Sequence, residues 1–200
     1  MRIFLKSNFL LIALAIICSC NKLPTNSVAK GEIEDDVYDN TFFDLKIEIP
    51  EAWIVEAIGE VEKTEESDRE AGKRGILATK LLIIYKGNPD EEFKPNLIVT
   101  AEHRSLYPDC SSQDAKDYLE EQKKQYSNVQ SATTDVESSV FANNKKCHSF
   151  DVSMKLPDIE ISQTHYSTVQ NNFYLDFVIT YQTPSQKEEL NTILSSLLFY

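Results

Sequence analysis

Phe173-Tyr174-Leu175-Asp176-Phe177-Val178-Ile179-Thr180-Tyr181-Gln182-Thr183-Pro184-Ser185-Gln186 is the stretch that decides the fold class. Phe173, Leu175, Phe177, Ile179 and Tyr181 recur at every second position, so they line one face of a strand. Thr183, Pro184 and Gln186 then mark the start of a helix. A Thr at the N-cap accepts from a free backbone N–H, Pro suits the first helical position, and Gln three residues after the cap closes a capping box. Beyond them Leu190, Ile193, Leu194, Leu197 and Leu198 repeat at helical spacing, an apolar stripe that needs a sheet to cover. A one-faced strand running straight into a one-faced helix predicts a helix packed on a sheet.

The chain upstream supplies that sheet. Lys146 to Leu156 and Ile159 to Val169 read as long strands joined at Pro157-Asp158, and Thr134 to Phe141 precedes them through a turn at Asn143-Asn144. A second helix is predicted earlier. Ser111 with Asp114 resembles a capping box, and Ala115, Tyr118, Leu119, Gln122 and Tyr126 share one face. Earlier still come Leu97 to His103, a turn at Gly87-Asn88-Pro89-Asp90, and Ile76 to Tyr85, apolar enough to be a central strand covered on both faces. Glu60 to Arg74 reads as a charged insertion, Trp53 to Ala57 as a strand, and Leu45, Ile47 and Ile49 as a half-buried strand ended by Pro50. Successive strands on short turns make an antiparallel sheet. With one helix mid-chain and one at the end, the class is α+β, an antiparallel β-sheet flanked by helices.

The step Pro50-Glu51-Ala52-Trp53, the Tyr118-Leu119 helix and the closing Ile193-Leu194-Ser195-Ser196-Leu197-Leu198-Phe199 together resemble the PsbP-like family, over about residues 41–200. Ala52 stands where a Gly often precedes that Trp. The resemblance implies an α/β/α sandwich and a binding or assembly accessory, and it transfers no catalytic residue.

The N-terminus gives the expected address. Arg2 and Lys6 precede an apolar run from Phe9 to Ile17, followed by Cys18-Ser19-Cys20, the layout of a bacterial lipoprotein signal peptide. The uncharged stretch is shorter than the roughly 20 residues a transmembrane helix needs. Residues 1–19 are therefore expected to leave, with Ser19 at the cleavage site and Cys20 lipidated. Asn21 is not the Asp that retains some lipoproteins at an inner membrane, so the outer membrane is favoured. Residues 20–40, rich in polar and acidic side chains, read as a flexible tether, and residues 41–200 as a single domain. The acidic run Glu34-Asp35-Asp36 lacks the spaced ligands and central Gly of a calcium loop.

The chain carries a net charge of -12. Loss of residues 1–19 removes Arg2 and Lys6 and no acid, which makes it -14. Such a surface repels phosphate backbones, so nucleic acid is not an expected partner. The expected contacts are the membrane, through the N-terminal lipid, and an unidentified protein.

Cys110 and Cys147 remain after processing, an even pair in an oxidising compartment. Bridged, they would clamp the start of the first helix to the sheet, with about 4 kcal/mol from loop closure. Cys147-His148 does not suit a thiol nucleophile, because adjacent strand residues point to opposite faces. A hairpin at Pro157-Asp158 sets His148 opposite Ser167 and His165 diagonal to His148, so the two histidines are candidate metal ligands, with Glu102 or His103 as a distant third. No Gly-x-Ser-x-Gly turn or phosphate loop occurs, and no cofactor is implied.

These readings converge on a lipid-anchored cell-envelope binding or assembly accessory without catalytic activity. Tyr107, Tyr166 and Tyr174 are the candidate exposed aromatics for a partner. The alternatives are a metal-dependent envelope hydrolase using His148 and His165, or a small-ligand carrier.

Overall fold

The computed structural model describes residues 30–61, 78–88, 90–110, 114–128, 131–141, 143–157 and 159–200. The signal segment, Cys20, the body of the charged insertion, Ser111 and Asp158 lie outside them. Among the described residues two antiparallel sheets form. The smaller holds β1 (Glu32–Glu34), β2 (Val37–Asn40), β3 (Leu45–Glu48) and the C-terminal β12 (Leu198–Phe199), in the order β1-β2-β3-β12. The larger runs β4 (Ile54–Val61), β5 (Ala78–Tyr85), β6 (Asn96–His103), β11 (Phe173–Tyr181), β10 (Glu160–Gln170), β9 (Lys146–Lys155) and β7 (Ser131–Thr133), and β8 (Glu137–Val140) also pairs with β9. After β6 the chain crosses one face as helix α1 (Lys116–Lys124), builds β7 to β10, and returns in β11 beside β6. Helix α2 (Pro184–Ser195) then packs on the other face.

The alternation read from Phe173 to Tyr181 governs this arrangement. Phe173, Leu175, Phe177, Ile179 and Tyr181 are buried in the main core, with Trp53, Leu82, Val99, Leu190, Ile193, Leu194 and the inner residues of the small sheet. The intervening face of β11 carries Tyr174 into a second cluster with Ala115, Tyr118, Leu119, Phe150 and Val152, under α1. One face of the large sheet is thus covered by α1, and the other by α2 together with the small sheet.

Local chemistry places the turns. Asn171 and Asn172 both take positive φ, at 50° and 68°, as a two-residue hairpin between β10 and β11 requires, and Asn tolerates that conformation. Thr183 caps α2 in a complete capping box, with Pro184 in its first turn, as predicted.

Several expectations are corrected. Residues 32–40, assigned to the tether, are β1 and β2. Their acidic residues alternate outward while Tyr38 and Asn40 are wholly buried, and the Tyr38 ring sits against Gly31. The predicted strand at 134–141 is two short strands on either side of Val136, both laid along β9. Leu198 is not part of the helical stripe. The helix stops at Ser195, and Leu198 is 52% exposed in β12, paired with Lys46. The α1 cap is also different: its N-cap is Ala115, with no side-chain cap, and Asp114 instead accepts from the Lys116 amide.

Candidate functional site

The polar residues with chemical potential gather on the α1 face of the large sheet. Register brings them there: His148 on β9 pairs with Ser167 on β10, Ser167 with Asp176 on β11, Asp176 with Thr100 on β6, and Thr100 with Lys80 on β5. Because directly paired residues share a face, this is one polar row crossing five strands. The predicted pairing of His148 with Ser167, and the diagonal relation to His165, are both present.

Asp176 is the centre of the row. It lies buried, and its Oδ2 takes a hydrogen bond from the Tyr118 hydroxyl of α1 at 2.5 Å. Its Oδ1 has no partner. Burial pushes its carboxyl up to about 7, the Ser167 and Tyr118 hydroxyls oppose the rise, and the charge of Glu102 adds to it. Tyr118 stacks on Tyr174 with ring centroids 4.1 Å apart and meets Tyr107 edge-on at 4.9 Å. Tyr107 donates to Glu102 and accepts from Gln122 Nε2 at 3.1 Å. The Arg104 guanidinium lies 5.7 Å from the Tyr174 ring centre. Two carboxylates, three tyrosines and a glutamine thus form one network linking α1 and the loop before it to the sheet. Asp176 escaped the sequence reading because it sits inside a strand of apolar neighbours; its signal was an acid at an inward-facing position of a strand covered on both sides.

The candidate metal ligands do not converge. His165 stacks flat on Phe150 at 4.7 Å, and its Nε2 lies 2.9 Å from the Tyr126 hydroxyl, which also donates to Gln163 at 3.0 Å. Burial lowers it to about 4. His148 Nε2 lies 3.3 Å from Asp114 Oδ2 at the start of α1. His103 is bound to Ser105 at 2.7 Å and Asn172 at 2.8 Å, while Glu102 is engaged by Tyr107. Among the described residues no group of three His, Cys, Asp or Glu side chains is placed to hold a metal.

Cys110 and Cys147 are both free thiols, which corrects the expected bridge. Cys147 belongs to the main core and Cys110 packs on the second cluster, so the sheet itself lies between them. The physical reason is strand parity: Cys147 and His148 point to opposite faces, and the helix that Cys110 precedes lies on the His148 side. Burial raises both thiols, Cys147 to about 11, away from a nucleophilic thiolate.

Of the candidate exposed aromatics, Tyr174 is wholly buried, a second correction, because the stacked Tyr118 covers it. Tyr107 and Tyr166 are half-buried. A shallow, open depression of about 310 Å³ lies at the end of α1, lined by Glu120, Lys123, Lys124, Tyr126, Ser131 and Thr133.

No protein-family model and no curated protein sequence matches the chain. Solved structures do. The solution structure of cyanobacterial PsbP (CyanoP) from Synechocystis sp. PCC 6803 matches with a TM-score of 0.52 and 13% identity, over 86% of this chain and 94% of that one. LpqN of Mycobacterium tuberculosis, involved in cell envelope biogenesis, matches with a TM-score of 0.46 and 10% identity, over 76% of this chain and 81% of that one. The fold of the chain is PsbP-like.

Proposed function

We propose that this PsbP-like protein is a non-catalytic accessory that binds or helps assemble a protein partner at a bacterial envelope membrane, to which lipidated Cys20 tethers it. The observation that carries the reading is how its reactive groups are used. His148, His165 and Asp176 each engage a different residue of α1 or of the turns that flank it, and so serve to fasten that segment to the sheet. The PsbP-like fold supports the accessory role that the sequence resemblance implies.

The tether sets the working distance. Ten residue steps lead from Cys20 to Lys30, where the described domain begins. Fully extended they span at most about 35 Å. The partner is therefore one that presents itself close to the bilayer. With the net charge near -14 after processing, long-range attraction favours a partner with a basic surface, and the outer membrane is the favoured location.

Detergent phase separation tests the anchor. Wild type is expected in the detergent phase, with an intact mass showing acyl chains on residue 20. Cys20→Ala is expected in the aqueous phase, because more than one acyl chain is what makes such an attachment stable. Equal partitioning of the two forms, or an unmodified amino terminus, overturns the proposal. Crosslinking in intact cells, comparing wild type with the released variant, then identifies the partner.

A further inference from the structure

Helix α1 depends on its docking surface for its stability. Its nine residues fall short of the roughly 12–15 that an isolated helix needs to be even marginally stable in water. Ala115 gives it no side-chain cap, and within it Tyr118 and Leu119 are the buried residues. What holds it is therefore tertiary. Tyr118 bonds Asp176, its ring lies on Tyr174, and Gln122 reaches Tyr107, itself bonded to Glu102. This surface brings two carboxyl groups together, and among the described residues no cation lies against Asp176.

We infer that α1 is a proton-gated latch, closed on the sheet while Asp176 carries its proton and loosened when Asp176 ionises. The hydrogen bonds open to the carboxyl differ between its two protonation states. A protonated carboxyl and a phenol make a neutral pair, which the dry site accommodates. An ionised Asp176 keeps the favourable hydroxyls of Ser167 and Tyr118, but burial outweighs them, Oδ1 is left without a hydrogen bond of its own, and the charge faces the second carboxylate at Glu102. A buried charge short of partners is costly. The floor of the site is the hydrogen-bonded sheet, so water reaches Oδ1 by displacement of the helix that roofs it. The proton leaves to solvent, and no other bond changes.

The remaining groups around the site set the direction. Burial raises the phenols of Tyr107, Tyr118, Tyr126 and Tyr174, so they stay neutral near pH 7. His165 on β10, held at about 4, is neutral there as well. From β9, His148 faces Asp114 at 3.3 Å. Lys80 on β5 stands beyond Thr100 in the same row, and Arg104 lies over Tyr174. Asp117 on α1 and the Cys110 thiol face Tyr174 rather than Asp176. With the Asp176 carboxyl raised to about 7, the latch works around neutrality.

Amide hydrogen exchange of residues 116–124, corrected for intrinsic rates, tests this on the full chain between about pH 6 and 8.5. In wild type the opening equilibrium of α1 is expected to rise about tenfold in all between about pH 6 and 8, most of it below about 7 while the closed state still holds the proton that the open state has lost, and to level off above. Asp176→Asn keeps the shape without the charge and is expected to be flat, while His148→Gln is expected to keep the wild-type slope. A flat wild type, or an equal slope in Asp176→Asn, overturns the latch. The carboxyl carbon NMR shift of Asp176 in wild type gives a reading that needs no variant. A midpoint near 7 that coincides with the levelling-off of opening supports the latch, and a midpoint below about 5 refutes it.

Discussion

Asp176 and His165 share one face of the sheet, and their titrations push stability in opposite directions. The carboxyl of Asp176 is raised from 3.8 to about 7. As pH rises the unfolded chain loses that proton first, so stability is greatest at acid pH and falls through the window between those values. His165 is lowered from 6.5 to about 4. The unfolded chain holds that proton longer, so stability rises with pH across nearly the same window. Each slope is about 1.4 kcal/mol per pH unit, and in wild type the two nearly cancel. Urea unfolding between about pH 4.5 and 6.5 separates them. Relative to wild type, Asp176→Asn is expected to gain stability as pH rises, and His165→Gln to lose it. Relative slopes of the same sign in the two variants would contradict the burial of one of these residues. The sequence exposed the histidines as candidates, because His is rare and chemically conspicuous. It did not expose Asp176, whose role depends on the register that seats it beneath Tyr118.

At the level of elements, α2 shows how far local signals reach. Thr183 accepts from the Gln186 amide, and the Gln186 side chain returns to the Thr183 amide. Thr183→Ala is expected to cost about 1 kcal/mol and to lower the melting temperature by about 2–4 °C, measured by thermal unfolding. A change below experimental scatter would mean that packing of Leu190, Ile193 and Leu194 alone holds the helix start. The other end of α2 was not legible. Leu197 and Leu198 continue the helical spacing, yet the chain leaves the helix because Leu45 and Lys46 on β3 offer backbone partners to Leu198 and Phe199. Ser196 Oγ accepts from the Glu48 amide at 3.0 Å, and the Tyr200 hydroxyl reaches Asp39 at 2.7 Å. Those partners lie some 150 residues back, beyond the range of any local pattern.

Over the whole molecule, the large sheet divides the interior in two, and that division decides the fate of the cysteines. Cys147 lies on the α2 side and Cys110 on the α1 side. The mature protein is expected to show no mass change on reduction. Under native conditions alkylation should reach half-exposed Cys110 well before buried Cys147. Intact-mass measurement with and without reductant checks this, and a gain of about 2 Da on reduction, as a bridge would require, would contradict the free thiols. Alternation in β9, β10 and β11, the capping box of α2 and the apolar stripes were determined by the sequence alone, because side-chain period and capping chemistry act over a few residues. The α+β class follows from them. The four-stranded sheet that turns part of the expected tether into structure, the crossing of α1 onto the face opposite α2, and the unpaired carboxyl beneath it were decided by tertiary structure. Each arises from pairing between distant strands, and burial and hydrogen-bond partners exist only once those strands have met.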